Sequence, residues 1–113
     1  MPDFEQGDIV RVPFPYTDRE TRQHRPALVV SKGPLGDRAT LLWVAMITSA
    51  ENRSWSDDVP FGDRYPEAGL PAPSVVRASK IATIETRRAD PIGKAPASLL
   101  ADVMARIGHS LGI

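Results

Sequence analysis

Short apolar runs separated by polar loops make up most of the chain. Three runs rich in Ile, Val and Leu predict β-strands, at 7–14, 25–31 and 39–49. The run 39–49 is apolar almost throughout, so we expect a central strand that is covered on both faces, with Trp43 in the core. The polar and turn-rich stretches between the runs predict connections at 15–24, 32–37 and 50–56.

The second half of the sequence predicts the remaining strands and one helix. Pro60 interrupts a short apolar run and places it at a sheet edge. The stretch 74–88 predicts either two strands or one strand broken near Ala78. After Pro96, apolar residues form one stripe at helical spacing: Leu99, Leu100, Val103, Met104, Ile107 and Leu111. This order predicts a mainly β fold, a small barrel of five or six short strands packed against a C-terminal helix, in a single domain over 1–113.

The two central strands bring polar side chains to one end of the predicted sheet. If 25–31 and 39–49 form a hairpin, the numbers of paired residues should add up to about 71. Arg25, which opens one strand, and Thr48, which closes the next, then lie at the same end, where the two long loops also meet. The candidate residues at this rim are Glu20, Arg22, His24, Arg25, Thr48, Ser49, Arg53 and Trp55.

This group of side chains suits the cleavage of RNA. Arginine cannot accept a proton, but it can hold a phosphate and stabilise charge that grows on the phosphate oxygens. Glu20 and His24 are the nearby groups able to act as acid or base near neutral pH. Attack by the 2′-OH of the substrate needs neither a protein nucleophile nor a metal, and DNA lacks that hydroxyl. Because no cysteine, HExxH motif, clustered His or third acid accompanies Asp57 and Asp58, we expect no metal site.

The same residues also have structural interpretations. Arg25 at a strand start could form a surface ion pair, and Thr48 could simply favour a strand. Trp55, in a polar loop, could stack on a base or lie flat against the barrel. His109 lies near the end of the predicted helix, where a histidine side chain interacts favourably with the helix dipole, so we interpret it as structural.

Composition and charge narrow the function classes. The 113 residues carry 14 basic and 14 acidic side chains, and 11 of the basic ones are Arg. A net charge of zero excludes bulk binding of polyanions, so a contact with nucleic acid has to be a local patch. No apolar run has the length of a membrane span and no secretory signal opens the sequence, so we expect a cytoplasmic protein with no membrane association.

Four stretches of the sequence resemble the MazF/PemK family of bacterial toxins, the RNA-cleaving halves of toxin–antitoxin pairs. They occur in family order and precede the predicted helix: "GDIVRVPFPYTD" (7–18), "RPALVVS" (25–31), "VAMITS" (44–49) and "AGLPAPSVVRASKIATI" (68–84). The resemblance implies a small SH3-like barrel of five to seven short strands with a C-terminal helix, and a homodimer. It also implies a metal-independent, sequence-selective endoribonuclease that needs no cofactor and cuts single-stranded RNA. Its cognate antitoxin would place a disordered acidic and apolar tail in the RNA groove.

The resemblance assigns roles to individual residues. Arg25 matches the catalytic arginine of the family, and Thr48 matches the threonine that closes the following strand. Glu20 stands where some members carry an acid in the preceding loop, whereas His24 matches a variable position. Further candidates for contacts with RNA or a second subunit lie in a well-matched stretch: Ser74, Arg77 and Lys80.

The chain departs from the family pattern in a few places. Ala95 stands where many relatives carry a Ser or Thr helix cap. The segments 15–24 and 50–66 are the least family-like, and because loops commonly carry specificity, the sequence does not predict the target RNA. Two alternatives stay open: a non-catalytic toxin such as the CcdB-like gyrase inhibitors, and a toxin-like protein without activity. The gyrase inhibitors rely on a C-terminal Trp-Gly-Ile, where this chain ends in Leu-Gly-Ile, and Arg25 with Thr48 favours the nuclease.

Overall fold

The computed structural model describes residues 3–13 and 23–113, and the sheet in this part of the chain is antiparallel throughout. Its strands lie in the spatial order β4-β5-β3-β2-β1-β6. They are β1 (Asp8–Pro13), β2 (His24–Val29), β3 (Leu41–Ser49), β4 (Asp58–Pro60), β5 (Ser74–Glu85) and β6 (Asp90–Lys94). A helix, α1 (Ala97–Ser110), follows β6. The predicted mainly β, barrel-like fold with a C-terminal helix is confirmed.

The β2–β3 hairpin has the predicted register. Ala27 pairs with Met46 and Val29 pairs with Val44, which lies within the range expected from the connecting turn. The edge position of the strand that contains Pro60 is also confirmed, because β4 is the outermost strand next to β5. One strand, β6, was not predicted from the sequence, since its Pro and Gly residues are unusual inside a strand.

Strand β5 is one long strand with an irregularity, which was one of the two predicted alternatives. Met46 pairs with Arg77, whereas the preceding residue Ala45 pairs with Ile81. Residues 78–80 of β5 therefore have no partner positions on β3, at the place where the sequence predicted a break. Such a bulge bends the strand and increases its twist, so the two halves of β5 run in different directions.

Side chains alternate between two buried faces of the sheet. One face carries Ala45, Ile47 and Val76, and helix α1 packs there through Leu99, Val103 and Ile107. The opposite face carries a second apolar cluster, which includes Val12, Ala27 and Val44. The burial of both faces explains why the sequence of β3 is apolar almost throughout.

The prediction that Trp43 lies in the core is wrong, because 52% of its surface is exposed. Trp43 points to the same face as Ala45 and Ile47, but it is not part of the cluster that α1 covers, and its neighbour on β5 is the exposed Thr83. Leu111 is also not part of the buried stripe. It follows the last residue of α1 and is 69% exposed.

Two further features concern the helix and the close approach of β6. The residue at the N-cap position of α1 is Pro96 rather than Ala95, and its side chain makes no capping hydrogen bond. Gly93 of β6 lies against the segment Gly62–Ala68, a 3-10 helix, where an added Cβ would come within 2.5 Å of the carbonyl oxygen of Ala68. Only glycine permits this approach.

In the described part of the chain, no helix combines the length and the apolar character needed to cross a membrane.

Candidate RNA-binding site

Arg25 and Thr48 are brought to the same end of the β2–β3 hairpin. The β2–β3 pairing ends at Ala27 and Met46; Arg25 lies two residues before Ala27 and Thr48 two residues after Met46, so both stand at this end of the hairpin. Side chains alternate along a strand, so Arg25 projects to the face of Ala27 and Thr48 to the face of its partner Met46, which is the same face of the sheet. Each of the two residues pairs with the strand on the other side of the hairpin: Arg25 pairs with Val12 of β1, and Thr48 pairs with Val75 of β5.

The hydroxyl group of Thr48 lies in a defined hydrogen-bonding environment. Thr48 is buried, and its Oγ1 accepts a hydrogen bond of 2.6 Å from Nδ2 of Asn52. The backbone N–H of Asn52 donates to the carbonyl oxygen of Ser49, which closes a tight turn after β3. Because the amide occupies an acceptor position of the hydroxyl, the hydroxyl proton is directed elsewhere. Asn52 was not among the predicted site residues; the sequence signal would have been an amide side chain in the turn directly after Thr48.

The residues next to this pair differ in how accessible they are. His24 opens β2 and is exposed, whereas Arg25 is half-buried. Ser49 pairs with Ser74 across β3 and β5. The Ser49 hydroxyl oxygen accepts a hydrogen bond from the backbone N–H of Glu51, and the buried Ser74 hydroxyl donates to a carbonyl oxygen two residues earlier. The predicted residues Glu20 and Arg22 lie outside the described residues.

Arg77 and Asp58 form a buried ion pair on the neighbouring strands. The Arg77 Nε is 3.1 Å from Asp58 Oδ1, and its Nη2 donates to Asp58 Oδ2 at 3.2 Å. The two side chains are only 10% and 8% exposed. Nη2 also donates to the backbone carbonyl oxygen of Arg53 at 2.7 Å. Arg77 was predicted as an RNA contact, but here its charge is neutralised inside the protein, which points to a supporting role.

Trp55 lies against this ion pair at the protein surface. The Cζ atom of Arg77 is 4.3 Å from the centroid of the Trp55 ring, and the Nζ atom of Lys80 is 5.9 Å from it. Both distances fall within the range of cation–π attraction. The ring keeps 43% of its surface exposed. Of the predicted candidates, Arg53, Trp55, Arg77 and Lys80 therefore form one group.

The two groups lie on the same face of the sheet. Met46 pairs with Arg77, and Arg77 pairs with Asp58 of β4, so these residues form one row across three strands. Thr48 lies two residues after Met46 along β3 and projects to the same face. The catalytic candidates and the group around Trp55 are therefore adjacent rows of one surface.

The loop that contains Trp55 has a second anchor on the helix. Arg106 of α1 lies 3.7 Å from a carboxylate oxygen of Asp57, and it also donates a hydrogen bond of 3.0 Å to Asp102 on the same helix. A longer contact of 3.5 Å joins Arg106 to the carbonyl oxygen of Ser56. Among residues 3–13 and 23–113, no cluster of three or more His, Cys, Asp or Glu side chains is arranged to hold a metal ion.

Comparison with known structures identifies the fold. A chain of a MazE–MazF crystal structure from Deinococcus radiodurans matches with 26% identity and a TM-score of 0.78, and the match covers 100% of this chain and 99% of that one. MazF from the same organism, solved in a separate crystal structure, matches with 27% identity and a TM-score of 0.74 over 100% of both chains. An endoribonuclease from a Mycobacterial species, in complex with its cognate antitoxin, has the same fold at 18% identity and a TM-score of 0.71, covering 100% of this chain and 97% of its own.

A search of curated proteins found no match. The comparison with models of protein families agrees with the solved structures. The sequence model described as "PemK-like, MazF-like toxin of type II toxin-antitoxin system" matches residues 5–111, nearly the whole chain. The chain therefore belongs to the PemK-like, MazF-like toxins of type II toxin–antitoxin systems, a family whose members are generally endoribonucleases.

Proposed function

We propose that this toxin is a sequence-selective, metal-independent endoribonuclease that cuts single-stranded RNA by attack of the 2′-OH on the adjacent phosphate. The observation that carries the proposal is the convergence of Arg25 and Thr48 on one face, at one end of the β2–β3 hairpin. An arginine and a hydroxyl can both donate hydrogen bonds to a phosphate, and neither requires a metal.

Each residue has a proposed role in this reaction. The guanidinium of Arg25 holds the scissile phosphate and stabilises the charge that grows on its oxygens. The Thr48 hydroxyl, with its oxygen engaged by Asn52, donates a hydrogen bond to a phosphate oxygen. Glu20 is the proposed acceptor of the 2′-OH proton as the 2′-oxygen bonds to phosphorus. The bond between phosphorus and the 5′-oxygen breaks, and His24 is the proposed donor of the proton that the leaving 5′-oxygen takes up. The products would carry a 2′,3′-cyclic phosphate and a 5′-hydroxyl.

The Arg25→Ala variant tests the proposal. We expect it to lose cleavage by about a hundredfold or more, which is typical of removing one charge-stabilising donor, while its thermal melting stays close to that of the wild type. Arg38→Ala is the matched control, because Arg38 is an exposed arginine in the turn at the opposite end of the hairpin. Near-normal cleavage by a folded Arg25→Ala protein would refute the assignment.

The nature of the substrate gives a second test of the mechanism. A substrate with one deoxyribose immediately 5′ of the scissile phosphate lacks the attacking hydroxyl and should resist, and cleavage of ordinary RNA should continue in excess EDTA. If the deoxy-substituted RNA is cut as fast as ordinary RNA, the 2′-OH is not the nucleophile.

We also propose that the toxin is a cytoplasmic homodimer that a cognate antitoxin inhibits. The MazE–MazF complexes among the similar structures support an antitoxin partner. Its disordered tail would place carboxylates on arginines of the RNA groove and order as it binds. The exposed Trp43 and Ile81, neighbours on one face of β3 and β5, support an interface with a second copy. A monomer in sedimentation at micromolar concentration would contradict the homodimer, and a tail peptide that binds without reducing cleavage would contradict the shared groove.

A further inference from the structure

We propose that Trp55 is a base-stacking platform of the RNA surface and that Arg77 is a positioning residue that holds this platform in place. The inference rests on the proposed function, because it specifies which side chain receives a nucleobase close to the scissile phosphate. It also changes the role of Arg77, which binds within the protein and acts on RNA only through Trp55.

The surroundings of Trp55 are those of a stacking site for single-stranded nucleic acid. The ring is 43% exposed, and the cationic groups of Arg77 and Lys80 lie 4.3 Å and 5.9 Å from its centroid. Proteins bind single strands by combining exposed aromatic rings with nearby positive charge, because every base has a face that can stack. A large aromatic side chain that only filled the core would not keep this much surface open.

Hydrogen bonds fix the loop on both sides of Trp55. Arg77 binds the carbonyl oxygen of Arg53 before the tryptophan and the carboxylate of Asp58 after it. Asp58 Oδ2 in turn accepts a 2.9 Å hydrogen bond from the backbone N–H of Trp55. One buried ion pair therefore connects three points of the loop. Because the ring is held before RNA arrives, less conformational entropy is lost on binding.

Trp55 lies within reach of RNA bound at the catalytic pair. Arg77 projects to the same face as Thr48, one row away, and Arg25 lies one strand beyond Thr48. From the spacing of strands and of alternate residues, the backbone positions of Arg25 and Arg77 are about 12 Å apart. A base close to a phosphate held by Arg25 can therefore reach the exposed part of the Trp55 ring.

Fluorescence tests the contact without requiring cleavage. The protein has two tryptophans, so Trp43→Phe leaves Trp55 as the only one, and Trp55→Phe gives the matched control with Trp43 alone. The probe is a random-sequence RNA decamer pool with 2′-O-methyl sugars throughout, which cannot be cut by 2′-OH attack. We expect the pool to quench the emission of Trp55 and to leave that of Trp43 unchanged. Failure of the pool to bind, or binding without quenching of Trp55, would overturn the proposal.

Cleavage kinetics test the positioning role of Arg77. Trp55→Ala should raise KM roughly five- to 150-fold with a smaller effect on kcat, as expected for one lost stacking contact, and Trp55→Phe should restore most of the affinity. Arg77→Met combined with Asp58→Asn removes the clamp without leaving a buried charge, and should raise KM by a similar factor. Arg64→Met, which removes the arginine of an exposed pair, is the control and should leave KM unchanged.

The combination of these variants distinguishes positioning from a separate RNA contact. If Arg77 acts through Trp55, adding Trp55→Ala to the Arg77→Met/Asp58→Asn protein should raise KM no further. Fully additive effects, or a normal KM in folded Trp55→Ala, would overturn the inference. A wild-type protein that cuts no RNA would contradict the proposed function, while the fluorescence experiment would still decide the role of Trp55.

Discussion

The ion pair between Arg77 and Asp58 should be among the most sensitive points for the stability of this toxin. Arg77→Met removes the positive partner and leaves the Asp58 carboxylate, which is 8% exposed, without the guanidinium that neutralises it. Breaking a buried pair in this way typically costs about 3–5 kcal/mol, because a charge stays buried without compensation. Removing an exposed pair costs about 1 kcal/mol or less.

The expected change in melting temperature follows from the size of the protein. For a domain of 113 residues, about 1 kcal/mol corresponds to roughly 4 °C. Arg77→Met should therefore lower Tm by about 12 to 20 °C, measured by circular dichroism at neutral pH. Adding Asp58→Asn should recover part of the loss, since the orphaned charge is removed with it.

Arg64→Met supplies the matched control for this measurement. Arg64 pairs with Glu67, and the two side chains are 53% and 60% exposed. The substitution is the same as at Arg77, but the partner carboxylate stays solvated, so Tm should fall by less than about 4 °C. If Arg77→Met also changed Tm by less than about 4 °C, the argument that the buried pair carries much of the local stability would be refuted.

Three further predictions concern local contacts of the fold and the site. Gly69→Ala should lower Tm more than Gly36→Ala, although both glycines have positive φ. A Cβ at Gly69 would lie 2.7 Å and 2.9 Å from side-chain and backbone atoms of β6, whereas the atom nearest to a Cβ at Gly36 is 3.5 Å away. Equal losses of Tm in the two variants would contradict this. A hydrogen bond from Arg87 lowers the pKa of Glu85, so this pair stabilises the fold above the ordinary pKa of 4.5 and the stabilisation is lost as pH falls through the lowered value. Glu85→Gln should therefore reduce the drop in Tm between pH 6 and pH 3, and an unchanged drop would argue against it. Thr48→Val keeps the shape of the side chain but loses the hydroxyl, so it should reduce kcat with little change in folding; full activity would exclude the Thr48 hydroxyl as a hydrogen-bond donor to the phosphate.

Local patterns of the amino-acid sequence were sufficient to predict most of the strands, the helix and the position of Arg25 and Thr48 at one end of the hairpin. Apolar runs, a turn of restricted length and the alternation of side chains were enough to predict the β2–β3 hairpin and to bring Arg25 and Thr48 to one end of it. These features depend on residues close together in the chain, so local propensities and turn geometry decide them. The edge position of β4 was predicted for the same reason, as was a break near Ala78, one of the two alternatives left open for β5.

The remaining features depend on contacts between parts of the chain that are distant in sequence. The exposure of Trp43 depends on how much of one face of the sheet the helix covers, and the sequence pattern of β3 does not predict that coverage. Strand β6 exists because it pairs with β1, although its own sequence disfavours a strand. The burial of Arg77 depends on the pairing of β4 with β5, which brings Asp58 beside it from 19 residues away. The sequence alone predicts that the charge of Arg77 is available to RNA or a second subunit, whereas the structure shows it in a buried ion pair that lies against the Trp55 ring.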